Sequence, residues 1–175
     1  MQTLLTDASP PTPRAVIVMG VSGCGKSTVG ALLASRLRWE FEDADWFHPA
    51  ANVDKMHRGI PLTDTDRMPW LASMHEYLAK AYDENRSVVL GCSALKESYR
   101  QTLRENLSMQ LVYLKGSYEV IDAHLRERKG HFADDKILAA QFADLEEPTD
   151  AIVVDVQLQP EQIIEEILKR LPRQN

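Results

Sequence analysis

The chain has little cysteine. Only Cys24 and Cys92 occur in 175 residues, and neither sits in a C-x-x-C metal or redox spacing. That argues against a disulfide scaffold and for a reducing, cytoplasmic setting. Positive charge is also short. Twenty Lys and Arg stand against 26 Asp and Glu, for a formal net charge of −6. A nucleic-acid-binding surface wants the opposite balance. An anionic small molecule is not excluded, because a local cluster of cations can bind one inside an acidic protein. Long apolar runs are missing, and nothing approaches the ~18 residues of a membrane span. Residues 1–13 (MQTLLTDASPPTP) lack a basic n-region and an apolar h-region, so they do not read as a signal peptide. Their prolines predict a loose tail. No internal repeat stands out.

What remains is ordinary material for a folded core. Apolar residues make up 44% of the chain, and the length suits one α/β domain over residues 14–175. Ala15–Met19 (AVIVM) is a continuous apolar run, as expected of a strand buried on both faces. Further strands are predicted at Glu40–Glu42, Ser87–Leu90, Leu111–Leu114 and Ala151–Val156. Helical spacing marks Ser27–Arg38, Met68–Tyr82, Leu95–Asn106, Tyr118–Arg128, Asp135–Leu145 and Pro160–Leu171, with Pro160 suited to a first helical turn. Strands alternating with helices imply a doubly wound, five-stranded, mostly parallel sheet with helices on both faces.

The most specific signal is Gly20-Val21-Ser22-Gly23-Cys24-Gly25-Lys26-Ser27, followed by Thr28. It satisfies G-x-x-x-x-G-K-[ST] between a predicted strand and a predicted helix, the setting of an NTPase P-loop. Glycines let backbone N–H groups turn inward around phosphates. Lys26 would carry charge to the β- and γ-phosphates of ATP, and the Ser27 hydroxyl could ligate Mg²⁺. Cys24 reads as a small loop residue, or as a reactive thiol at a helix N-terminus.

Asp43-Ala44-Asp45 follows the second predicted strand. In an open α/β sheet that position faces the ligand. Phosphoryl transfer to an alcohol needs a carboxylate to orient the hydroxyl and accept its proton. Strand alternation would put both acids on one side, one facing Mg²⁺ and the other the acceptor hydroxyl; the alternative is a polar turn or the N-cap of the next helix. His48 is a neutral hydrogen-bonding candidate for a polyol. Lys55 and Arg67 are cationic candidates for a substrate carboxylate, or solvated helix residues. At the third strand end, Ser93 and Lys96 should lie near the pocket. Arg100, one turn on, either reaches substrate or pairs with Glu97 or Glu105. Arg126-Glu127-Arg128-Lys129-Gly130-His131-Phe132 is a basic run that is either a solvated surface or, placed where a closing lid over about residues 126–135 could sit, a means to bring Arg128, or else Arg126, to the γ-phosphate.

Taken together, MGVSGCGKST, DAD-x-x-HP, N-x-x-KM, G-x-PL-x-D-x-DR-x-PWL, CSALK-x-x-YR, RKGHF and QF-x-x-LE-x-P resemble the gluconate kinase family, from about Val16 to Pro148. The resemblance implies ATP:gluconate 6-phosphotransfer with Mg²⁺, in the cytoplasm, by a homodimer. It also implies Asp45 as the base, Asp43 facing the metal, and Arg128 with His131 in the lid. Gln141 and Glu146–Pro148 match the family's segment after the lid. Shikimate kinase shares the P-loop and D-x-D. Its glycine-rich third-strand end is replaced here by CSALK, and no arginine occurs between Arg128 and Arg170 to match its substrate-binding arginine after the lid. A nucleotide-gated switch is the rival from another class. The N-K-x-D expected of a guanine-specific switch is absent.

Overall fold

The computed structural model describes residues 14–127 and 135–172. Five parallel strands form one sheet in the order β2-β3-β1-β4-β5. They are β1 (Ala15–Met19), β2 (Glu40–Asp43), β3 (Val88–Gly91), β4 (Met109–Lys115) and β5 (Ala151–Asp155). The order explains the sequence patterns. Strand β1 is central, all five of its residues are buried, and it reads as an uninterrupted apolar run. Strand β5 is an edge, and Ile152 and Val154 alternate with more exposed neighbours.

Alternation along β1 divides the core in two. Val16 and Val18 join one cluster with Val29 and Leu33 of α1 (Lys26–Leu37) and Ile163, Ile164 and Ile167 of α7 (Pro160–Arg170). Ile17 and Met19 join the other, with Trp70, Leu71, Met74 and Leu78 of α3 (Asp64–Asp83) and Tyr99 and Leu103 of α4 (Glu97–Arg104). Each buried aliphatic side chain contributes about 1.5–3 kcal/mol, so the two clusters dominate the stability of the sheet. Helices α5 (Tyr118–Glu127) and α6 (Asp135–Asp144) complete the first layer.

Four elements depart from the sequence expectation. Ala44–Phe47 is a 3-10 turn and Ala50–His57 is helix α2. The one buried residue of α2 is Asn52, so the helix carries no apolar period. Helix α3 starts at Asp64 rather than Met68. Thr63 and Asp66 form a reciprocal capping box there, which fixes the start of the helix ahead of Pro69. Helix α4 starts late, at Glu97, because Ala94 is left-handed (φ +45°) and Lys96 is extended.

Register places the site. Asp43 at the end of β2 pairs with Gly91 at the end of β3, and Gly91 pairs with Val18 of β1. The P-loop, the D-x-D segment and the CSALK turn therefore leave the sheet side by side at its carboxyl edge.

Candidate active site

Gly20, Gly23 and Gly25 all have positive φ. Gly23 (φ +84°) has a second constraint, because a Cβ there would stand 2.5 Å from Leu125 Cγ. No side chain caps α1, which begins at Lys26, so its first N–H groups are left for an anion. A cavity of about 90 Å³ lined by Gly23, Gly25, Lys26, Ser27 and Thr28 opens there. Lys26 Nζ donates to the Val21 carbonyl at 3.0 Å across the loop. The Cys24 side chain is buried in the apolar cluster beneath, which favours packing over a reactive thiol.

Ser27 Oγ donates to Asp43 Oδ2 at 2.7 Å, and Asp43 Oδ1 accepts the Asp45 N–H at 3.0 Å. Asp45 lies in the 3-10 turn, not on the strand, so the alternation argument does not apply to it. The two acids are instead held by the N-capping role of Asp43. Burial pushes the Cys92 thiol up to about 12, and Lys26, Asp45 and Asp43 all lie within electrostatic reach of it. Cys92 itself is inert packing.

His48 is half-buried and stacks on Trp70, with ring centroids 4.5 Å apart and planes 8° apart. Burial lowers its pKa, with Asp45 opposing and Arg67 reinforcing the shift. Asp45 and Arg67 thus both lie within electrostatic reach of the His48 ring. Arg67 Nη1 donates to Tyr99 Oη at 3.2 Å, and Lys96 Nζ donates to Asp64 Oδ1 at 3.1 Å. Tyr99 also donates to Asp64. The Tyr99 hydroxyl and Lys96 hold the Asp64 carboxyl below the usual carboxylate range. Lys55 is engaged by Asp66 at 2.7 Å. The Ser93 carbonyl accepts Gly20 N–H at 3.3 Å, tying the third strand end to the loop.

Arg100 corrects the sequence reading. Its side chain is only 1% exposed. It donates to the Ala94 and Leu95 carbonyls and to Glu97. These bonds lock the CSALK turn from below, so its pairing with Glu97 is what forms, and the side chain faces the core rather than a substrate. Arg128 and His131, and most of the expected lid, lie outside the described residues, as does the expected tail at residues 1–13.

Comparison with known proteins follows the same lines. A Shikimate kinase family model matches residues 22–172. The gluconokinase of Gluconobacter oxydans is 44% identical over 161 residues, 90% of each chain. The thermoresistant gluconokinase of Escherichia coli is 43% identical over 145 residues, 80% of this chain and 83% of its own. The crystal structure of a gluconokinase from Sinorhizobium meliloti superposes with a TM-score of 0.84 at 42% identity, over 91% of both chains. The chain belongs to the gluconokinase family.

Family membership also draws attention to the segment Gln141–Pro148, which matches the family's QF-x-x-LE-x-P stretch. Its Gln141 Oε1 accepts Ser22 N–H at 2.6 Å, and Gln141 Nε2 donates to Ser22 Oγ at 3.0 Å. Glu146 Oε2 accepts the Glu97 N–H at 2.7 Å, while Glu146 N–H bonds the Leu95 carbonyl. In this gluconokinase-family chain the QF-x-x-LE-x-P stretch therefore braces the P-loop with one residue and caps α4 with another. Periodicity carries no sign of either contact, because they join residues 119 and 49 positions apart. Asn52, Asp64 and Tyr99 stand in the N-x-x-KM, G-x-PL-x-D-x-DR and CSALK-x-x-YR stretches that carry the resemblance, but nothing in the sequence assigned them a contact.

Proposed function

We propose that the protein phosphorylates D-gluconate at its 6-hydroxyl, using ATP. The observation that carries this reading is its family membership, with the family's pocket residues present at the carboxyl edge of the sheet. The P-loop N–H groups and Lys26 would bind the β- and γ-phosphates. Ser27 and Asp43 suit Mg²⁺, which takes one or two protein oxygens and completes its shell with phosphate and water. Among the described residues no group of three or more His, Cys, Asp or Glu could hold a metal by itself, in keeping with that mode. Bound there, Mg²⁺ would neutralise charge on the transferring phosphate. Asp45 orients the acceptor hydroxyl and takes its proton. His48 and Ser93 face the polyol, while Arg67 and Lys96, with Lys55 behind, meet the carboxylate. Both cations are already gathered around Tyr99 and Asp64, so the site is prepared for an anion. Arg128 and His131 keep the roles the resemblance implies, and so does a homodimer. Two free, buried cysteines fit a cytoplasmic enzyme.

The test is ADP release from Mg·ATP with gluconate, other aldonates, shikimate and AMP in parallel. Acceleration by gluconate is the expected result. The family model that matches the chain makes shikimate the informative competitor, and turnover with shikimate alone would overturn the assignment.

A further inference from the structure

Asn52 is 3% exposed, the one strongly buried polar residue of α2. Its Nδ2 donates to the Asp66 carbonyl at 2.8 Å and lies 3.4 Å from His48 Nδ1. A carbonyl only accepts, so the first contact decides which end of the amide is the NH₂. The second hydrogen of that NH₂ meets His48 Nδ1, which must then accept. A neutral imidazole that accepts at Nδ1 carries its proton on Nε2. The rest of the cage is rigid. Trp70 stacks on the ring, and its Nε1 donates to the Ala44 carbonyl at 2.7 Å. Asp66 is pinned by Lys55 and Thr63, so the carbonyl that orients Asn52 cannot drift.

We propose that Asn52 is a positioning residue that locks His48 in the Nε2–H tautomer, so that the ring offers a hydrogen-bond donor to a lone pair of the acceptor sugar acid. The inference rests on reading His48 as part of the acceptor pocket. The same contact excludes the opposite tautomer, since two donors would then face each other between Asn52 and His48. Asn52→Asp inverts the arrangement. A carboxylate at position 52 accepts from Nδ1–H, draws the proton to that nitrogen, and loses the bond to the Asp66 carbonyl.

The experiment is nitrogen-15 NMR of the histidine rings in the full chain, with His48→Gln used for assignment. Wild-type protein should show His48 with Nε2 protonated and Nδ1 bare at neutral pH. Asn52→Leu should give mixed tautomers, Asn52→Asp a proton on Nδ1. Both variants should raise KM for the acceptor about tenfold, as one lost hydrogen bond implies, with KM for ATP unchanged. A wild-type His48 protonated on Nδ1 overturns the proposal, and so does an Asn52→Leu spectrum identical to wild type. The wild-type tautomer is read without either Asn52 variant, so it stands even where those variants fail to fold. It also needs no substrate, so an enzyme inert towards gluconate would sink the substrate assignment without touching the tautomer result.

Discussion

Ser27 and Asp43 share a hydrogen bond of 2.7 Å that joins the start of α1 to the end of β2. The second oxygen of the same carboxylate caps the turn carrying Asp45. One acid thus aligns the hydroxyl suited to Mg²⁺ and the segment suited to proton transfer. Asp43→Ala should raise the Mg²⁺ concentration for half-maximal activity by about tenfold or more, as loss of a partner to a metal ligand does. Titrating Mg²⁺ at saturating ATP checks it. An unchanged requirement would remove Asp43 from the metal site.

Asp45 is exposed at the mouth of the site, and no strand geometry forces its role. Asp45→Asn keeps the shape and removes the carboxylate proposed as the base. Turnover should fall about 10²-fold or more, with KM for ATP close to wild type. Near-normal turnover would assign the proton to water or to another group.

Lys26 is held at 3.0 Å by the Val21 carbonyl across the loop, a contact that nucleotide phosphates can replace at little cost. Lys26→Met should lower kcat by at least about a hundredfold, the size of losing one charge-stabilising donor. Single-turnover measurement with saturating Mg·ATP separates this from weakened binding.

The P-loop was legible because its signal is local. Three backbone positions need positive φ, and glycine supplies them at fixed spacing. The place of Asp43 at the carboxyl end of β2 was legible from the alternation of strands and helices, whereas the 3-10 turn that holds Asp45 was not. Arg100 was left open between substrate and Glu97 because charge is normally a surface property, and only the left-handed Ala94 turn, which leaves two carbonyls for it to satisfy, decides the matter. Helix α2 was missed because its inward residue is a polar one chosen for His48 and Asp66 rather than for packing. The Ser22–Gln141 brace spans 119 residues, and no periodicity reports a contact at that separation.

Arg100 offers a clean separation of structural from substrate roles. Arg100→Leu leaves the Ala94 and Leu95 carbonyls without their donor and Glu97 without its partner. That should cost about 2–4 kcal/mol of stability. Urea titration reads the loss. KM for gluconate, measured well below the variant's melting temperature, should stay near wild type. A tenfold rise in KM with little change in stability would return Arg100 to the substrate site.

Asp66 ties the pocket wall to pH. Its carboxyl is drawn down from 3.8 to about 2, first by the hydrogen bond from Lys55 and then by the Thr63 N–H. A carboxyl with a depressed native pKa stabilises the fold above its unfolded value. That stabilisation fades as pH falls from about 4 through about 2. Asp66→Ala also opens the capping box of α3, so at neutral pH its Tm should lie a few degrees below wild type. The gap should be constant above about pH 5, beyond the titration range, and narrow as the wild-type carboxyl protonates towards about pH 2. Melting curves of both proteins across that range decide the matter. A gap that does not change with pH would mean that the Lys55–Asp66 charge pair adds nothing beyond the neutral cap. The stability of the Asn52 carbonyl partner would then rest on the backbone of α3 alone.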